Sequence, residues 1–332
     1  MLRDTLKSLL LAYGPSGAEH KVAALLREML SDHVDSLRTD TLGNLIAEKF
    51  GQDENAKTIM ISAHMDHIGL VVTGIEKDGF LRVAAVGGIY PQLMNARKVV
   101  FDNGVLGVAV LEPREKDDKK PELKHLFVDI GAESKEEAEK LVSLGDVAVY
   151  APDVVSLGRH RVASPAMDDR CACALLAELL MYADEQKNNI VGVFSVQEEV
   201  GLRGAKVAAY ALEPDIGLAL DVTAWGDTPE TKYPAVKLGA GPAVKIMDRS
   251  MIASPAVRDK LFEAAEAAGV TVQREVLAFG GTDGGAIQSS RAGVPTGTLS
   301  IPCRYVHSAL ETIDMRDMEG ALKVLLQFVD LA

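Results

Sequence analysis

Cysteine is scarce in this 332-residue chain. The three present, Cys171, Cys173 and Cys303, are too few and of the wrong parity for a disulfide framework. Cys171 and Cys173 stand two apart in a predicted helix, on different faces, and read as small buried apolar residues. Aromatic residues are also few, at 5% with one tryptophan. No apolar run approaches the ~20 residues of a membrane span. Positive charge is in the minority, with 35 Lys and Arg against 48 Asp and Glu, a formal net charge of −13. An acidic surface repels phosphate backbones, which argues against nucleic acid as a partner. No cluster of Lys and Arg suits a membrane surface. The run from Glu115 to Lys120 mixes both signs and is expected in a solvated hairpin loop. A targeting segment is lacking as well. In MLRDTLKSLLLAYG the residues Leu2, Leu6, Leu9 and Leu10 keep helical spacing, and Asp4 interrupts any basic leader. The expectation is an amphipathic first helix and a cytoplasmic protein.

What is present is apolar and alternating. Hydrophobic residues make up 48% of the chain, enough for a sizeable core. Leu42 to Glu48 and Lys57 to Ala63 have strand composition. Ile190 to Val196 and Ile216 to Val222 are nearly continuous apolar runs, the pattern of strands buried on both faces. Helices are predicted from Asp168 to about Asp184, from Pro255 (behind Ser254) to Gly269, and from Asp314 to about Leu331. This alternation implies an α/β fold with a central mixed, largely parallel sheet flanked by helices. Residues 70–163 differ. Val and Gly recur there with turn signals at 77–79, 87–88 and 102–104, and one helix is predicted from Ser134 to Leu144. The segment reads as an inserted β-barrel-like domain. The catalytic α/β domain would then comprise 1–69 and 164–332.

Acids and histidines stand just past the predicted strand ends, where loops of an open α/β sheet converge on a crevice. They fall at His64 and Asp66, Asp168 and Asp169, Glu198 and Glu199, Asp221, and His307. Taken singly, most have a structural explanation. His-x-Asp suits a polar strand end, and acids at a helix start are favoured by the backbone dipole. Adjacent acids after a buried strand, Glu198 and Glu199, repel each other unless a cation is near. Together, two histidines and several carboxylates suit a pair of divalent ions, and nitrogen and oxygen donors without thiolate fit Zn²⁺, Co²⁺ or Mn²⁺.

Eight segments, in order, carry a resemblance over nearly the whole chain. They are GPSG (14–17), TLGNLIA (41–47), AHMD (63–66), DIGA (129–132), MDDR (167–170), QEEVGLRGA (197–205), GGTD (280–283) and RYVHS (304–308). With them the chain resembles the M42 metallo-aminopeptidases, a family that includes glutamyl and leucyl enzymes and the tetrahedral TET peptidases. The resemblance implies a zinc-peptidase-like fold and removal of N-terminal residues from short peptides. It implies two divalent ions per subunit, one on His64, Asp168 and Asp221, the other on Asp168, Glu199 and His307. Glu198 would be the general base and acid, and Asp66 would orient His64. Asp168 is preferred to Asp169 as the bridging ligand. The inserted domain would mediate assembly into a tetrahedral dodecamer. The sequence departs from the family at His67, where Glu is usual. Asp283 could support the site from outside the ligand set. Two other readings were weighed. Paired acids also serve glycoside hydrolysis, but that chemistry has no need of His64 and His307. A non-catalytic assembly protein on the same fold would be expected to have lost the base or a ligand.

Overall fold

A computed structural model describes residues 1–113, 121–231 and 233–332. The Glu115 to Lys120 run lies outside the described residues. Four strands, Asn189–Ser195, Thr58–His64, Ile216–Thr223 and Thr296–Arg304, lie side by side in that order, all parallel. They form the middle of an 11-stranded mixed sheet. Antiparallel strands extend it on both sides, Leu45–Lys49 beyond the first and Glu311–Asp314 beyond the last.

The four middle strands are buried along almost their whole length because both faces are covered. Successive side chains of a strand alternate between faces. Ile59, Ile61 and Ala63 accordingly join the main core with the helix Met167–Tyr182, while Met60 joins a second core with Ala205, Ala208 and Ile287. The first helix, Leu2–Leu10, buries Leu6, Leu9 and Leu10 against the main core, as its spacing predicts. Helix Pro255–Ala267 starts at its proline, and Asp314 caps helix Met315–Leu331 by accepting the Arg316 N–H at 3.1 Å. All three cysteines are buried and unpaired. Among the described residues, no helix is long and apolar enough to cross a membrane.

Between the second strand and the long helix, six strands from Gly69–Ile75 to Val147–Tyr150 close into a barrel. It has its own core, which includes Leu70, Leu81, Leu126, Val128 and Ala148. The helix Lys135–Leu141 is capped by Ser134, whose hydroxyl accepts the Glu137 N–H, and it stops three residues short of Leu144. Val142 there turns to extended backbone and is buried against the barrel. The strand Val155–Leu157 and all but the last residue of Arg161–Ser164 fall within 70–163 but belong to the large sheet, through pairing of Arg161–Ser164 with Glu311–Asp314.

Candidate active site

The parallel register sets His64 opposite Ser195 and Asp221 opposite Ser300. The carboxyl ends of all four middle strands therefore open on one side. His64 ends its strand, Glu198 and Glu199 follow Ser195 in the next loop, Asp221 lies near the end of a third strand, and His307 follows the fourth. Asp168 and Asp169 come in from the long helix. They stand in its first turn, as expected, with non-helical backbone angles and a cis peptide between them. Asp168 N–H is satisfied by Glu311 Oε2 at 2.9 Å.

Asp168 straddles the two rings. Its Oδ1 is 3.1 Å from His64 Nε2, and its Oδ2 is 3.5 Å from His307 Nε2. Glu199 Oε2 is 3.3 Å from the same nitrogen of His307. Glu198 Oε2 and Asp221 Oδ1 lie 3.9 and 4.0 Å from His64 Nε2. Ligand atoms of Asp168, Glu199 and His307 converge as one group, and those of His64, Glu198 and Asp221 as another. Asp168, Asp169 and Asp221 form a third.

Backbone carbonyls orient both rings. His64 Nδ1 donates to the Asp66 carbonyl at 2.9 Å, and His307 Nδ1 to the Gly88 carbonyl at 2.8 Å. With Nδ1–H so used, each Nε2 faces the carboxylates, free to take a proton or a metal ion. The Asp66 carboxylate is farther from His64 Nδ1, at 3.6 Å. It accepts the Glu198 and Glu199 N–H groups at 2.9 and 3.2 Å and the Ser16 hydroxyl at 2.6 Å. Asp66 thus holds His64 through its backbone and the Glu198–Glu199 loop through its side chain.

Glu311 and Gly88 were not singled out from the sequence as site residues, whereas Asp283 and His67 were. Buried Glu311 accepts from both Asp168 N–H and His307 N–H, the latter at 2.6 Å. Gly88 has a backbone so close to His307 that a Cβ would stand 2.7 Å from the ring. Asp283 lies beneath the site and accepts the hydroxyls of Ser62 and Ser195, which are carried on the strands of His64 and of Glu198. His67 is buried, with Nδ1 on the Ile68 carbonyl, and burial and nearby Arg170 push its pKa down to about 3. Its ring is neutral and belongs to none of the converging groups.

The cluster is short of positive charge. Burial first, and then neighbouring carboxylates, push Asp169, Glu198, Asp221 and Glu311 well above the usual carboxylate range. Burial works against a charged His307 ring, yet Glu199 and Asp168 drive its pKa up to about 12. Among the described residues, Glu199 Oε1 is buried without a hydrogen-bond partner. Crowded carboxylates, two aimed imidazole nitrogens and an unpartnered oxygen fit divalent cations.

The chain is similar in sequence and in fold to known peptidases. The M42 glutamyl aminopeptidase family matches residues 43–324. The lysyl aminopeptidase of Pyrococcus furiosus is 38% identical over 336 residues, covering 97% of this chain and 94% of that protein. An aminopeptidase from Desulfurococcus kamchatkensis superposes with a TM-score of 0.95 at 39% identity, over 100% of this chain and 95% of its own. The Pyrococcus horikoshii TET1 peptidase, described as assembling into a tetrahedron or a large octahedral shell, has a TM-score of 0.89 at 36% identity, over 98% of each chain.

Proposed function

Because the chain belongs to the M42 glutamyl aminopeptidase family, peptidases that release N-terminal residues, we propose that it does so on short peptides with two divalent cations held in the site described above. His64, Asp168 and Asp221 would hold one ion, and Asp168, Glu199 and His307 the other. The observation that carries this reading is the position of Asp168, with one carboxylate oxygen beside each histidine. Asp169 is less suited, because its Oδ2 accepts the His64 backbone N–H. The donor set favours Zn²⁺ or Co²⁺, with Mn²⁺ acceptable. Bound cations supply Lewis-acid chemistry, acidifying water and polarising the scissile carbonyl.

With Asp168 bridging, Glu198 is not required as a ligand. It lines the cavity, and its carboxylate takes the proton of the attacking water and returns it to the leaving amine nitrogen. Asp66 fixes the loop that carries this base through the Glu198 and Glu199 N–H groups. The surplus of carboxylates attracts the free ammonium of a substrate N-terminus, which makes the enzyme an exopeptidase. We place assembly on the barrel, whose outer surface exposes Leu106, Val108 and Leu144. A tetrahedral dodecamer, as in TET peptidases, would enclose the sites and admit only short, unfolded peptides.

Hydrolysis of a panel of aminoacyl-p-nitroanilides, before and after chelation, tests this. Activity should vanish with chelator and return with Zn²⁺, Co²⁺ or Mn²⁺. Activity that survives complete metal removal would refute the metal-dependent reading.

A further inference from the structure

The family is described by glutamyl specificity, and an acidic preference calls for a cation in the pocket that receives the first side chain. A lysine is in place. A cavity of about 1270 Å³ opens over the site, and Lys245 lines it together with Asp221, Thr223, Leu277, Phe279 and Thr282. Asp221, Glu198 and His64 line the same cavity, so the Lys245 pocket and the converging acids and histidines share one space.

Lys245 is already engaged from behind. It sits on the strand Ala243–Met247, directly opposite Glu275 on the strand Gln273–Val276. Its Nζ is bonded to Glu275 Oε1 and lies 3.8 Å from Asp248 Oδ2. Thr223 also donates its hydroxyl to Glu275 Oε1, at 2.7 Å. Lys245 is 1% exposed, Glu275 is fully buried and Asp248 is 4% exposed. One ammonium therefore faces two carboxylates, a formal surplus of one negative charge. An incoming substrate carboxylate would have to draw Lys245 away from Glu275 and leave that acid buried without its partner. An incoming ammonium meets the Lys245 ammonium first, because the two acids are not among the residues lining the cavity. Apart from Asp221 and the threonines, the surrounding wall includes apolar side chains. Leu277 is tied to the Lys245 strand by its N–H to the Met247 carbonyl at 2.9 Å, and Val222 and Phe279 stand nearby on the lining.

Resting on the aminopeptidase reading above, we propose that this pocket selects apolar N-terminal residues of leucine size, and that Glu275 and Asp248 impose the selection by neutralising Lys245. Burial of a leucine-sized side chain is worth roughly 10- to 100-fold in affinity.

The test is calorimetric titration of the Zn²⁺- or Co²⁺-loaded protein with free leucine, glutamate and lysine, the products of the three rival specificities. Leucine should bind at least about tenfold more tightly than either charged amino acid. In Glu275→Gln, which releases Lys245, the ratio of glutamate to leucine affinity should rise about tenfold or more at unchanged metal content. Equal or tighter binding of glutamate or lysine, or no binding of any of the three, would overturn the proposal. So would an unchanged ratio in a folded Glu275→Gln protein, and if that variant does not fold the wild-type ratio decides. Preferred binding of leucine without cleavage of any p-nitroanilide would leave the selector standing and remove the peptidase reading, so the two failures are distinct.

Discussion

Arg170 is a cation held wholly inside the protein. Its guanidinium donates to the carbonyls of Met65 at 2.7 Å, Leu9 at 2.8 Å, and Ala12 and Gly14 at 3.2 Å each. It joins the end of the first helix and the 12–14 segment to the strand end that carries His64. Burial pushes its pKa down to about 10, which still leaves it charged at neutral pH. A Cβ on Gly14 would come within 2.8 Å of Nη2, which explains the glycine there. Arg170→Met would leave several buried carbonyls without a charged donor, and a loss of about 3–5 kcal/mol is expected. Denaturant unfolding checks this, and a loss under ~1 kcal/mol would mean that the carbonyls find other partners. Arg170 was visible in the sequence as part of MDDR, but its role was not. Nothing in that motif says which carbonyls, 105 to 161 residues earlier, the side chain meets. Glu311 is a similar case, since an acid in the short strand ETID has no local signal. The acids and histidines that the sequence places past the strand ends do converge in the structure, because the parallel strands finish on one side. The partner of His64 Nδ1 was legible to the residue but not to the atom, since Asp66 offers both a carbonyl and a carboxylate.

At the level of elements, the apolar runs 190–196 and 216–222 identified their strands to within a residue or so, because a strand covered on both faces needs unbroken hydrophobicity. Ends were harder where a side chain decides them. The strand expected from Leu42 starts at Leu45 because Asp40 Oδ1 accepts the N–H groups of Leu42, Gly43 and Asn44 and holds them in a turn. The inserted barrel was readable from its closely spaced strands and turns. Its end was not, because alternation within 155–164 does not reveal that these residues pair with 311–314. The GlyGly at 87–88 read only as a turn signal. In the structure it also brings barrel-side backbone against Glu199 and His307, so the inserted unit helps to build the site.

For the whole molecule, the large sheet carries the converging acids and histidines, while the barrel side brings Gly87 and Gly88 against them and exposes a surface of its own. Leu106 and Val108 project outward from one barrel strand at 56% and 43% exposure, while Gly107 and Ala109 between and beside them face inward. If this surface mediates assembly, replacing both with lysine should give smaller particles by light scattering while leaving the fold of the subunit intact. An unchanged particle mass would move the interface elsewhere. Glu198→Gln, with metal content and turnover measured on the same preparation, separates a base from a ligand. Two divalent ions per chain are expected, as in the wild type, with kcat lowered about 10²- to 10⁴-fold. A rate near that of the wild type would show that Glu198 is not the base, and loss of one ion would show that it is a ligand instead.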